Sequence, residues 1–271
     1  MDRLPTLFVS HGAPSFALAP GLAGAQLAAL AQQLPRPRAV LVVSPHWMTR
    51  EPVVQTGAQP ETVHDFGGFD PALYRVTYPS RGHPALAQRA IELLRAAGWS
   101  PKADEHRGLD HGAWVPLRHL YPRADVPVFQ VSMPVSLHAD TAVSFGEALA
   151  PLADEGVLIV GSGSLTHNLH EFRQGSAQPA AYAEEFAEWI RDAVQAGDRQ
   201  RLLGALSDAP HAHRAHPSDD HFLPLLVALG AARDVLPATV LPGGIVHGVL
   251  SMESYLFGRE VAISTAHAEV A

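Results

Sequence analysis

The chain has 271 residues, 47% of them hydrophobic and 17% charged, which suits one globular domain with a sizeable core and excludes a disordered chain. A formal charge of −8, with only 19 Lys and Arg spread along the sequence, argues against a nucleic-acid surface and for a small-molecule partner. Cysteine is absent, so disulfides, thiolate catalysis and Cys-ligated metals are excluded, and any metal must be held by His, Asp or Glu.

The first apolar run, TLFVS at 6–10, predicts a buried strand, and His11 follows it directly on a turn marked by Gly12 and Pro14. The pattern repeats at 39–44, where AVLVVS is followed by Pro45, His46 and Trp47. Residues 51–82 and 100–125 are Gly- and Pro-punctuated and aromatic, and they read as functional loops. Between them, HPALAQRAIELLRAAGW predicts a helix with Leu86, Ala90, Leu93, Leu94 and Ala97 on one stripe, Pro84 near its start and Gly98 at its stop.

Further strands are predicted at 127–132 and 156–161, separated by a helix over 138–153. GSGSLTHNL then brings His167 out behind the strand. A helix in PAAYAEEFAEWIRDAVQAGD aligns Phe186, Ile190 and Val194 before Gly197. PHAHRAHPSDDHF carries His211, His213, His216 and His221 into a helix over 217–230, with Ser218 as N-cap and Pro224 as a bend. Late strands are predicted at 237–241 and 249–257.

Alternating strands and helices predict a single-domain α/β fold over 1–271, with a mostly parallel central sheet, helices on both faces, and a metal site beyond the carboxyl ends of the strands. There is no basic leader followed by a long apolar stretch and no apolar run of membrane-spanning length, which reads as a soluble cytoplasmic protein without a membrane partner.

The 16 histidines are the unusual feature of the composition. His11 and His46 share a strand-end context that aims a side chain rather than packing it. His64, His83, His106, His119, His138, His170 and His267 read as surface or hydrogen-bonded rings. HAHRAH fits a loose surface metal tract, the basis of a non-enzymatic metal-binding alternative. GSGS lacks the spacing of either Gly-rich phosphate loop, and it lacks the second glycine of a nucleophile elbow.

SHGAP, SPHW, HDFGGFDPALYRVTYP, RGLDHGAWVPL, GSGSLTHNL and HPSDDHFLPLLVALGAA, taken in order, resemble the DOPA-type extradiol aromatic-ring-opening dioxygenases of the protocatechuate 4,5-dioxygenase superfamily. The resemblance runs over about residues 7–257 and leaves a short tail, 258–271. It implies an oxidoreductase with one non-haem divalent metal, and a catechol and O2 as substrates. It matches His11, His46 and His221 to the metal ligands, and His167 and His111 to residues acting on the substrate. The better-known branch has a carboxylate as third ligand, so Asp219 and Asp220 stay open beside His221.

Three ligands on one face leave positions for both catechol oxygens and O2. The reaction needs a redox-active ion, so Fe(II) is expected for turnover, while three imidazoles also suit zinc, which is d¹⁰ and has no redox chemistry. A His₃ zinc hydrolase is the alternative within enzymes. Trp47, Phe66 and Trp114, with Phe69 and Tyr74, are expected to wall the substrate pocket, and Arg107 or Arg75 to meet a substrate carboxylate.

Overall fold

In a computed structural model, which describes residues 3–173, 176 and 178–262, successive side chains of the central strands feed two separate cores. The elements are β1 (Thr6–Ser10), α1 (Gly21–Gln33), β2 (Ala39–Thr49), β3 (Val53–Gln55), α2 (Pro84–Ala96), β4 (Lys102–Asp104), α3 (His111–Leu120), β5 (Val128–Pro134), α4 (Ala139–Leu149), α5 (Pro151–Asp154) and β6 (Val157–Gly163). After these come α6 (Ala181–Ala196), the short α7 (Arg199–Leu203), α8 (Ala205–Asp208) and α9 (Ala212–Ala215), and then α10 (Leu223–Ala231). The last strands are β7 (Ala238–Leu241), the small β8 (Ile245–Val246) and β9 (Leu250–Ser251) pair, and β10 (Ser254–Phe257).

The main sheet runs β4-β3-β5-β2-β6-β1-β10-β7. Its centre, β5-β2-β6-β1, is parallel, whereas β3 joins β5 and β10 joins β1 antiparallel. Because strand side chains alternate, Leu7, Val9, Val40, Val42, Leu158 and Val160 pack towards α1 and α3. Phe8, Leu41, Val43, Phe129, Val131 and Ile159 pack towards α2, α4, α6 and α10. Helices therefore cover both faces, as the alternation of elements predicts. No helix among the described residues is long and apolar enough to cross a membrane.

Several boundaries differ from the sequence expectation. β2 does not stop at residue 44 but continues to Thr49 through an irregularity between Ser44 and Met48, where Pro45 lacks a donor for the ladder. The segment 51–82 is largely irregular, but 100–125 is not a loop: it holds β4 and all of α3, which carries Pro116 in its interior. The predicted helix over 138–153 divides at Ala150 because Pro151 starts a new turn. α10 begins at Leu223 rather than 217, with Pro224 in its first turn, where a missing N–H costs nothing, and Ser218 outside it. The strand expected over 249–257 is interrupted at Met252 and Glu253. α1 was not predicted: its Ala-rich sequence has no side-chain cap and only a weak apolar stripe.

Candidate metal centre and active site

Each histidine of the centre is placed by a local device. His11 ends β1, where Gly12 takes φ +60°, and a Cβ on that glycine would lie 2.5 Å from Met252 Sδ. His46 sits in the irregular part of β2, and its backbone N–H donates to Ser44 Oγ at 3.2 Å. His221 lies in the turn before α10, with its carbonyl accepting from the Ser164 N–H. Cβ atoms on Gly161 and Gly163 would collide with Pro224 O and His221 O, so GSG is glycine-rich to let α10 approach β6. That close approach, and not a phosphate cradle, explains the motif.

The ring nitrogens of His11, His46 and His221 lie within 4.8 Å of one another. Hydrogen bonds set the tautomers of His11 and His221. Ser162 Oγ donates to Gly112 O at 2.5 Å, so it must accept from His11 Nδ1, 3.0 Å away, which leaves His11 Nε2 bare. In a regular helix the Gly112 carbonyl would accept from the N–H of residue 116, which here is Pro116. The proline thus frees the carbonyl that orients Ser162.

His221 Nδ1 donates to Asp220 Oδ2 at 2.5 Å, and its Nε2 is buried without a partner. His46 Nδ1 faces Asp65 Oδ2 at 3.5 Å, while its Nε2 stands 3.1 Å from His11 Nε2. Burial, and then the neighbouring imidazoles, push His11 well below the usual histidine range and His46 down to about 2. Burial also lowers His221, against the pull of Asp220.

His11 and His221 thus present unprotonated nitrogens at one point with His46 Nε2 beside them, and neutral imidazole is the form that binds metal. Two nitrogens each about 2.0–2.1 Å from one ion stand about 2.8–3.4 Å apart between right-angled and tetrahedral geometry, a range that includes the His11–His46 spacing. The donor set therefore fits a divalent ion. A second group, His46, Asp65 and His111, also has metal-like spacing. It fits less well, because both Asp65 oxygens are taken by the His111 backbone N–H at 2.8 Å and by His111 Nδ1 at 3.0 Å.

His111 opens α3 behind Asp110, whose side chain accepts from the Ala113 N–H and from Gln130 Nε2. Burial would raise the Asp65 carboxyl, but the hydrogen bonds from His111 outweigh it and hold the group at about 2. His167 stacks on His221 with ring centroids 3.5 Å apart and planes 8° apart. Burial, then repulsion from His221 and His216, pushes His167 down to about 3. All five histidines line one cavity of about 300 Å³ at the carboxyl ends of β1 and β6, walled by Ala13, Pro14, Phe66, Phe69, Leu169, Phe172 and Leu250.

The structure thus brings together His11, His46, His111, His167, His221 and Phe66. It puts Trp47 and Trp114 elsewhere. Trp114 is fully buried and donates to Val63 O, and Trp47 lies under the Arg107 guanidinium outside the cavity wall. Arg107 bonds His46 O and Asp110, and Arg75 is exposed, so neither faces the cavity. Asp219 is exposed and outside the ligand group, whereas Asp220 supports His221 through its Nδ1.

HAHRAH gathers no metal-like group among the described residues: His211 pairs with Glu185, His213 is exposed, and His216 is buried against Leu165 O. His83 and His138 cap helices, His64 and His119 bond backbone carbonyls, and His267 lies outside the described residues. Sequence reasoning missed Asp65, Ser162 and Gln130. The signals were there: an aspartate inside an aromatic Gly-rich loop, and polar residues within otherwise apolar strands.

Fold and site together define an α/β protein with a histidine-rich candidate metal site at the carboxyl edge of a parallel sheet. The family model described as the catalytic LigB subunit of aromatic ring-opening dioxygenase matches residues 23–254, and the chain belongs to that family. It is 40% identical to a 4,5-DOPA dioxygenase extradiol of Beta vulgaris, over 93% of this chain and 96% of that protein. A protein of the same name from Escherichia coli K12 is 40% identical over 94% and 95%. A crystal structure of an uncharacterized protein from Escherichia coli K12 superposes with a TM-score of 0.78 at 35% identity, covering 94% of this chain and 100% of that one.

Proposed function

We propose that the chain is an extradiol dioxygenase that opens a catechol-type ring beside its two hydroxyl-bearing carbons and places both atoms of O2 in a semialdehyde product. The observation that carries this reading is the convergence of three imidazole nitrogens on one largely apolar cavity, with two further histidines beside them. His11, His46 and His221 would hold one divalent ion. Bound there, Fe(II) would supply the redox chemistry that dioxygen requires and that zinc lacks. The ring furnishes all four electrons that reduce O2, so no external reductant is needed.

The chain's own groups provide the remaining chemistry. His167, neutral and facing the cavity, is the leading acid–base residue, taking a catechol proton and returning it to a leaving oxygen. His111 is its partner. Its Nδ1–H donates to Asp65, so its Nε2 can accept a proton while the carboxylate stabilises the resulting imidazolium. Phe66 and Phe69 hold the flat ring and keep water from it.

Two variants test this division of labour. His11→Ala should lose the metal, whereas His167→Ala should keep metal content and lose about 10²-fold or more in turnover. Full metal content together with full activity in either variant would sink the assignment.

A further inference from the structure

The cavity wall is informative about the substrate's substituent. Beyond the histidines it is lined, among the described residues, only by glycine, proline and apolar side chains. Leu169 lines the same cavity and has 58% of its surface exposed, so it is free to meet a substituent that leaves the cavity.

Four of the charged groups around the cavity are engaged with other residues, while Arg173, next to Phe172, is exposed outside the cavity wall. Asp65 is held by His111 and Asp220 by His221, and Glu171, two residues after Leu169, forms a two-point ion pair with Arg214. Arg107 is spent on Trp47 and Asp110. A zwitterionic side chain lying against this wall would lose water from an ammonium and a carboxylate and find no charged partner among the described wall residues.

A second cavity of about 470 Å³ abuts the first, and Ala13 borders both. The Phe172 ring of the first is tilted against His247 of the second, with centroids 4.7 Å apart, and the other walls of the second include Ser15 and Ser176 beside Phe16, Ile245 and Met252. Mostly apolar wall therefore continues past the space a single ring fills.

We propose that the preferred substrate is a catechol bearing an uncharged, apolar ring substituent, which lies along Phe66, Phe69, Leu169 and Phe172. The proposal rests on the extradiol reading for the position of the ring, and it sets this chain apart from the relatives named for DOPA.

Binding separates the two ideas, because it needs no turnover. Zinc-loaded protein is titrated by calorimetry with catechol, 4-methylcatechol, 4-butylcatechol and DOPA. Affinity should rise about threefold to fourfold per buried methylene, leaving 4-butylcatechol about tenfold or more tighter than DOPA. DOPA binding as tightly as 4-butylcatechol overturns the proposal.

Leu169→Arg, at an exposed rim position, should reverse part of the ranking in favour of 3-(3,4-dihydroxyphenyl)propanoate, and an unchanged ranking would displace the substituent from this wall. Oxygen uptake by iron-loaded protein is read on the same panel. Apolar ranking without uptake sinks the extradiol reading alone. Uptake fastest with DOPA sinks the apolar preference alone.

Discussion

Ser162→Ala tests the least expected element of the centre. Ser162 Oγ links two buried groups, accepting from His11 Nδ1 and donating to the Gly112 carbonyl. Removing the hydroxyl strands one donor and one acceptor, each costing about 1–3 kcal/mol, so about 2–6 kcal/mol of stability is expected to go. His11 also loses the contact that fixes its tautomer, and metal affinity should fall about 10- to 100-fold, as for other groups that orient a ligand from behind.

Urea denaturation of the metal-free protein gives the first quantity, and competition for zinc against a chelator gives the second. Pro116→Ala is the companion. It restores an N–H aimed at Gly112 O, so Ser162 is no longer needed there, and metal affinity should weaken without a comparable loss of stability. Wild-type zinc affinity in Ser162→Ala would refute the account of how His11 is held.

Asp65→Asn turns an acceptor facing His111 Nδ1 into an amide donor, so the ring takes the tautomer that cannot accept the substrate's proton. Turnover should fall about 10²-fold or more with metal retained, read by steady-state kinetics alongside metal analysis, and an unchanged turnover number would remove His111 from the chemistry. His216 is buried with Nε2–H on Leu165 O, and burial pushes its pKa down to about 4. The unfolded chain takes up a proton near pH 6.5 that the fold refuses until about pH 4, so stability is full above pH 6.5 and declines by about 3 kcal/mol as pH falls through that window. His216→Gln, which keeps a donor for Leu165 O, should flatten the profile, and an equally steep profile in the variant would exonerate His216.

What the sequence revealed follows from the range of the interactions. The apolar runs of β1, β5 and β6 are self-declaring because both faces of each strand are buried. His11 and His46 stand out because each follows an apolar run beside Gly, Pro or Ser, and His167 and His221 because one follows a strand and the other precedes an apolar helix.

α3 was hidden by Pro116, which ordinarily ends a helix and here is tolerated because a serine from β6 takes the freed carbonyl. Ser162 was invisible for the same reason: its partners lie 50 and 151 positions away, and nothing local marks them. Asp65 was overlooked inside a motif quoted for its aromatics. Trp47 and Trp114, which looked like pocket walls beside the histidine motifs, pack behind them instead. Proximity in sequence to a ligand does not say which way an indole turns.

The central claim is that three histidines hold a metal whose redox chemistry opens a catechol. The most direct measurement is oxygen consumption by metal-free protein reconstituted anaerobically with Fe(II) or, separately, with zinc, against a catechol panel that includes DOPA and 4-alkylcatechols. Uptake with iron alone, accompanied by a yellow ring-opened semialdehyde and abolished in His11→Ala, is the predicted result. Tight binding of iron at this centre with no oxygen uptake for any catechol would contradict it.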